Sequence, residues 1–211
     1  MPRRNRVTPF GTLEAVPHRG RFLGNRGDLH GRDGSIRHDF PTSETRWIAC
    51  RLAEGILDPV VFDTPGRYTP LFFADEAVAL AAGHRPCATC RRPAFLRFAA
   101  AWQRSRGRDE SQTPRVAEID GALAEARLGE EGKRFHRARL GNLPDGVFFA
   151  RDGAPERALI RWRGEVRPWS HDGYGEPIEV SADEEVTVLT PEPTVAVLAH
   201  GYEPEVVIDL A

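Results

Sequence analysis

Three cysteines constrain this chain more than any other feature. Two of them, Cys87 and Cys90, form a C-x-x-C turn at the end of Leu71-Phe-Phe-Ala-Asp-Glu-Ala-Val-Ala-Leu-Ala-Ala-Gly-His-Arg-Pro-Cys-Ala-Thr-Cys-Arg-Arg92, and the third, Cys50, stands 36 residues before that turn. A C-x-x-C turn supplies two thiolates to one ion, and a tetrahedral zinc site needs two more ligands from elsewhere in the chain. If Cys50 is one of them, the fold must bring a distant segment against the turn. Three cysteines do not make a disulfide framework, and clustered thiols in a reducing compartment point to metal or redox chemistry.

The local pattern around the turn is helical. Asp75 and Glu76 occupy a first turn, where the helix dipole favours acids; alanine and leucine fill the body, and Gly83 takes the position just past the end. Pro93 suits the start of a second helix, and Phe95, Phe98, Ala99 and Trp102 recur at three- and four-residue spacing along it. Val116 to Leu128 reads as a third helix with Ile119, Leu123 and Ala126 on one side.

Strand signals flank these helices. Thr12–Val16, Arg21–Leu23, Thr45–Cys50 and Asp58–Phe62 are short strand candidates before the turn. After Leu143, the pairs Asp145-Gly146, Asp152-Gly153, Arg163-Gly164 and Asp172-Gly173 punctuate apolar runs at hairpin-like intervals, with a last helix expected over Pro191–Leu198. The expected fold class is therefore α+β: a small zinc-knuckle α/β module followed by a β-rich domain, either a sheet or a partial barrel. Its segments are 1–106 (β entry, knuckle and helix), 107–142 (helical linker) and 143–211 (β-rich). At 211 residues the chain has room for two small domains.

Composition excludes several classes. With 40% hydrophobic and 28% charged residues the chain is ordinary globular material rather than fibrous or disordered. No apolar run approaches the roughly 20 residues that span a bilayer, and the basic start Met1-Pro-Arg-Arg-Asn-Arg6 has no signal-type apolar core behind it, so a cytoplasmic protein is expected. P-loop, G-x-G-x-x-G, G-x-S-x-G and H-x-x-x-H patterns are absent, and no catalytic set stands out.

Charge is unevenly placed. The net charge is −2, yet seven arginines and no acid lie between Arg85 and Arg108, and ten acids without Lys or Arg follow His171. Such a run marks either a polyanion-binding face or one half of an internal pairing. On the first reading Arg85, Arg91, Arg92 and Arg97 contact nucleic acid, DNA rather than RNA. Lys133-Arg-Phe-His-Arg-Ala-Arg139 is a second basic cluster, expected as an exposed turn. Trp162 and Trp169, interleaved with Arg163 and Arg167, could stack bases, although period-2 spacing suits core residues of a sheet.

The stretch Ala82-Gly-His-Arg-Pro-Cys-Ala-Thr-Cys90 behind a helix resembles the zinc-binding domain of the Ada DNA-repair family, as does a strand ending in a first cysteine (Trp47-Ile-Ala-Cys50) and a Phe-rich segment (Pro70-Leu-Phe-Phe73). The likeness covers about residues 45–92. It implies zinc held by Cys50, Cys87 and Cys90, contact with DNA, and Cys50 as the thiolate that accepts a methyl group in repair of alkylated DNA. The family's fourth cysteine falls on Glu54 here, so the fourth ligand is open among Glu54, Asp63, His84, His38, His30 and water. Three functional expectations follow. One is a zinc protein with mainly structural metal that contacts nucleic acid; another is an interaction or scaffold protein with structural zinc; the third is a sacrificial methyl acceptor.

Overall fold

The computed structural model describes residues 2–31, 33, 35–41, 44–52, 68–130 and 132–208. The expected strand over 58–62, with Glu54 and Asp63, lies outside them. The chain is an α+β protein. It begins with strands β1 (Arg6–Val7), β2 (Leu13–Glu14), β3 (Phe22–Asn25), β4 (Ile48–Arg51) and β5 (Leu71–Phe73). Helix α1 (Glu76–Ala81), strand β6 (Arg85–Pro86) and helices α2 (Arg92–Arg104) and α3 (Val116–Arg127) follow. Strands β7 (Leu128–Gly129) and β8 (Gly132–Lys133) make a small hairpin. They lead to β9 (His136–Arg139), β10 (Phe148–Arg151), β11 (Ala154–Trp162), β12 (Glu165–Ser170), β13 (Gly173–Tyr174) and β14 (Glu185–Val188), and α4 (Glu192–Ala199) comes last.

Two six-stranded sheets result, in the orders β2-β1-β5-β3-β4-β6 and β13-β12-β11-β10-β14-β9. The expected helices form close to their expected bounds, and α1 shows why at both of its ends. Asp75 caps α1 by accepting from the Val78 N–H at 3.0 Å. Gly83 ends it at φ +90°, where a Cβ would lie 2.8 Å from Arg127 Cδ. The cluster after Lys133 differs from its expectation: it is strand, with β9 paired antiparallel to β14 from His136↔Val188 to Arg139↔Glu185. Its side chains alternate between half-buried and exposed, a period-2 face that positive charge along the segment obscures.

The second sheet is covered on both sides. Phe148, Ala150, Ala158 and Ile160 pack into a core with Leu71, Phe73 and the α1 residues Ala77 and Val78. Their neighbours Phe149 and Leu159 face a second core with Phe95, Phe98 and Trp102 of α2, Ile119 and Leu123 of α3, and Val197 of α4. A strand buried on both faces reads as an unbroken apolar run, which is why Val147-Phe-Phe-Ala150 is visible in the sequence. Full burial of each such Phe, Leu or Ile is worth about 1.5–3 kcal/mol. Trp169 packs edge-on against Phe148 at 6.4 Å and Trp162 lies against the same core, so these tryptophans belong to the sheet. Among the described residues no helix is long and apolar enough to cross a membrane.

Candidate metal centre

The three cysteines converge. Strand β4 runs antiparallel to β3 and parallel to β6, pairing Ile48 with Arg85 and Ala49 with Pro86. The ladder continues one step through the Cys87 N–H, which donates to the Ala49 carbonyl at 3.0 Å. Cys50 at the end of β4 is thereby brought beside Cys87 at the start of the turn. The turn closes when the Arg91 N–H donates to the Cys87 carbonyl at 3.2 Å, and α2 then begins at Arg92 with Pro93 in its first turn. The three Sγ atoms lie within 4.8 Å of one another.

That spacing fits a tetrahedral ion. Zinc–sulfur bonds of about 2.3 Å place two sulfurs roughly 3.8 Å apart, so the thiols need at most a small contraction to share one ion. The donor set is soft, which suits a thiophilic metal ion. The Arg51 N–H also donates to Cys90 Sγ at 3.4 Å, a bond suited to a sulfur carrying negative charge. With protons in place of metal, the thiols hydrogen-bond to one another. The Cys50 thiol as donor pulls Cys87 down to about 4, aided by the N–H groups of Cys90 and Thr89, whereas Cys50 itself is pushed up, first by that bond and then by burial. Cys87 is buried, Cys50 half-buried and Cys90 exposed.

No described histidine or carboxylate joins the three thiols. His84 is turned the other way, into the core. It is fully buried between Trp47 (ring centroids 5.2 Å) and Phe73 (4.6 Å), its Nε2 accepting from Arg26 Nε at 3.4 Å. Burial drives its pKa well down, and the positive charges of Arg26 and Arg127 drive it further, so it stays neutral. His30 is buried against the Thr69 hydroxyl at 2.6 Å, and His38 is exposed.

The arginines expected at a nucleic-acid face divide into two groups. Arg85 is buried and grips Asp120 of α3 with both ends of its guanidinium, at 2.7 and 2.9 Å. Arg91 is buried over the Phe22 ring, 2.8 Å from Glu76 and 3.2 Å from Glu205. These two charges are used inside the molecule, where a phosphate does not reach them. Arg92 and Arg97 are exposed, and Arg51, which the sequence did not single out, is exposed beside Cys90; none of the three makes an ion pair among the described residues. Set beside protein-family models, curated proteins and solved structures, the chain finds no match in any of the three.

Proposed function

We propose that Cys50, Cys87 and Cys90 bind one zinc ion whose main role is to lock strand β4 onto the turn that opens α2. The observation that carries this reading is the convergence of three thiols from two segments separated by 36 residues. An ion there would supply cross-linking, tying the first sheet to the helix that carries Phe95, Phe98 and Trp102 into the core. Elemental analysis of purified protein should find about one zinc per chain, falling below about a quarter of that in Cys50→Ser and in Cys87→Ser. Chelation should lower the melting temperature of the wild type and leave the variants unmoved. Wild-type protein without bound metal after growth in zinc would end the proposal.

A second reading is favoured by exposed arginines near the thiols and along α2 that make no ion pair among the described residues. Arg51, Arg92 and Arg97 offer three cations to a nucleic-acid backbone, DNA being the partner the Ada resemblance suggests. Three phosphate contacts predict a slope of about −3 in log affinity against log salt for duplex DNA, and its loss in a triple alanine variant. Filter binding without affinity at low salt would remove this reading and leave the scaffold alternative. Cys50 as a methyl acceptor is the weaker reading, because it is less open than Cys90.

A further inference from the structure

Of the 29 lysine and arginine residues in the chain, one is lysine: Lys133. It lines a wide-mouthed surface cavity of about 420 Å³ with Phe10, Thr12, Phe40, Phe135, Pro155 and Glu156. That volume lies within the range of small-molecule sites. The walls are aromatic: Phe10 meets Phe135 edge to face at 6.4 Å, and Phe135 is 41% exposed. Gly11 (φ +83°) leaves space under the rings, since a Cβ there would lie 2.9 Å from Phe40 and 3.2 Å from Lys133 Cδ.

The amine in this cavity is placed unlike a surface lysine. Lys133 Nζ donates to the Pro9 carbonyl at 2.6 Å and lies 5.4 Å from the Phe135 centroid. Glu156, the one carboxylate lining the cavity among the described residues, is exposed and forms no ion pair with it. Lys133 as a whole is half-buried; burial around its amine pushes that group well below the usual lysine value, and the cation of Arg26 pushes in the same direction. An arginine in this position would keep its proton and could not act as a nucleophile, whereas a desolvated lysine can.

We infer that this cavity is a covalent binding site for aromatic aldehydes, which Lys133 captures as an imine between the three phenylalanine rings. The lone pair of the neutral amine forms the carbon–nitrogen bond, and a proton moves from nitrogen to the former carbonyl oxygen. Water then leaves and the imine forms; the step is reversible and involves no oxidation or reduction. The rings provide flat apolar contact for an aromatic substituent, and the single amine provides the attachment.

One lysine makes the test clean, because the N-terminal amine is the other primary amine and serves as an internal standard. Folded full-length protein is incubated at pH 7 with benzaldehyde or with propanal, reduced with borohydride, digested and mapped by mass spectrometry. Lys133 should label with benzaldehyde at least about tenfold faster than acetyl-lysine, since each unit of depressed pKa raises the neutral fraction about tenfold. Phe135→Ala should slow benzaldehyde labelling severalfold and leave propanal labelling unchanged, and Lys133→Arg should abolish the internal label. Lys133 unlabelled when folded but labelled in urea would overturn the inference. Equal rates for the two aldehydes, indifferent to Phe135→Ala, would overturn it as well.

Discussion

At the scale of single residues, the arginines show how one side chain serves two opposite ends. A guanidinium on the surface is a phosphate ligand, and the same group in the interior needs a carboxylate. Arg85 and Asp120 are both nearly excluded from water, so removing one partner leaves the other charged and unsolvated. Arg85→Met is expected to cost about 3–5 kcal/mol. For a chain of this size that is a drop of about 10 °C in a thermal melt. Pairing it with Asp120→Leu should restore most of the loss, because no buried charge then remains. A fall in nucleic-acid affinity without a fall in stability would instead place Arg85 on a binding face. Nothing in the run from Arg85 to Arg108 marks which arginines turn inward, because the deciding acids, Asp120 and Glu76, lie on other elements.

At the scale of elements, helix α1 is legible at both ends and its surroundings are not. All six of its residues are buried, Glu76 included, and this is what a helix covered on every side requires. Its acids are held by a chain segment far away in sequence: Tyr202 donates to Glu76 at 2.6 Å and the Glu205 N–H at 2.9 Å, while Tyr174 donates to Asp75 at 2.6 Å and the Val207 N–H at 3.2 Å. Burial pushes Asp75 up to about 6, against the hydrogen bonds from Tyr174, Val78 and Val207 that pull it down. Unfolded, it would titrate near 3.9. The folded state then holds the proton more tightly between about pH 4 and 6, so the contribution of Asp75 to stability falls as pH rises through that window. Two units correspond to about 3 kcal/mol in order of magnitude. Tyr174→Phe removes a donor to the ionised form, so it should raise the Asp75 pKa and destabilise more at pH 7 than at pH 5 in denaturant titrations. Equal losses at both would show that Asp75 does not change charge between them.

At the scale of the whole molecule, the two halves of the chain share their cores. Strand β14 lies between β10 and β9, and Val186, Val188, Val197, Leu198 and Tyr202 fill the core beneath α2 and α3. Truncation after Pro168 is therefore expected to abolish cooperative folding, as circular dichroism and a thermal melt would show. A truncated protein that still melts cooperatively would mean that the cores form without β13, β14 and α4.

Local features can be read from the residues alone. The apolar period of α2 and α3 and the end residues of α1 are written within each segment, as are the hairpin punctuation after Leu143 and the three thiols as ligand types. An N-cap, a glycine stop and a 3.6-residue period act over one or two turns, so they survive without tertiary context. Tertiary structure alone decided what depends on distant partners: Cys50 reaching Cys87 through the β4–β6 ladder, and Arg85 and Arg91 turning inward while Arg92 and Arg97 stay out. It also turned His84 into an aromatic stack rather than toward the thiols. In each case burial and pairing energies set by residues on other elements outweigh what any local pattern specifies.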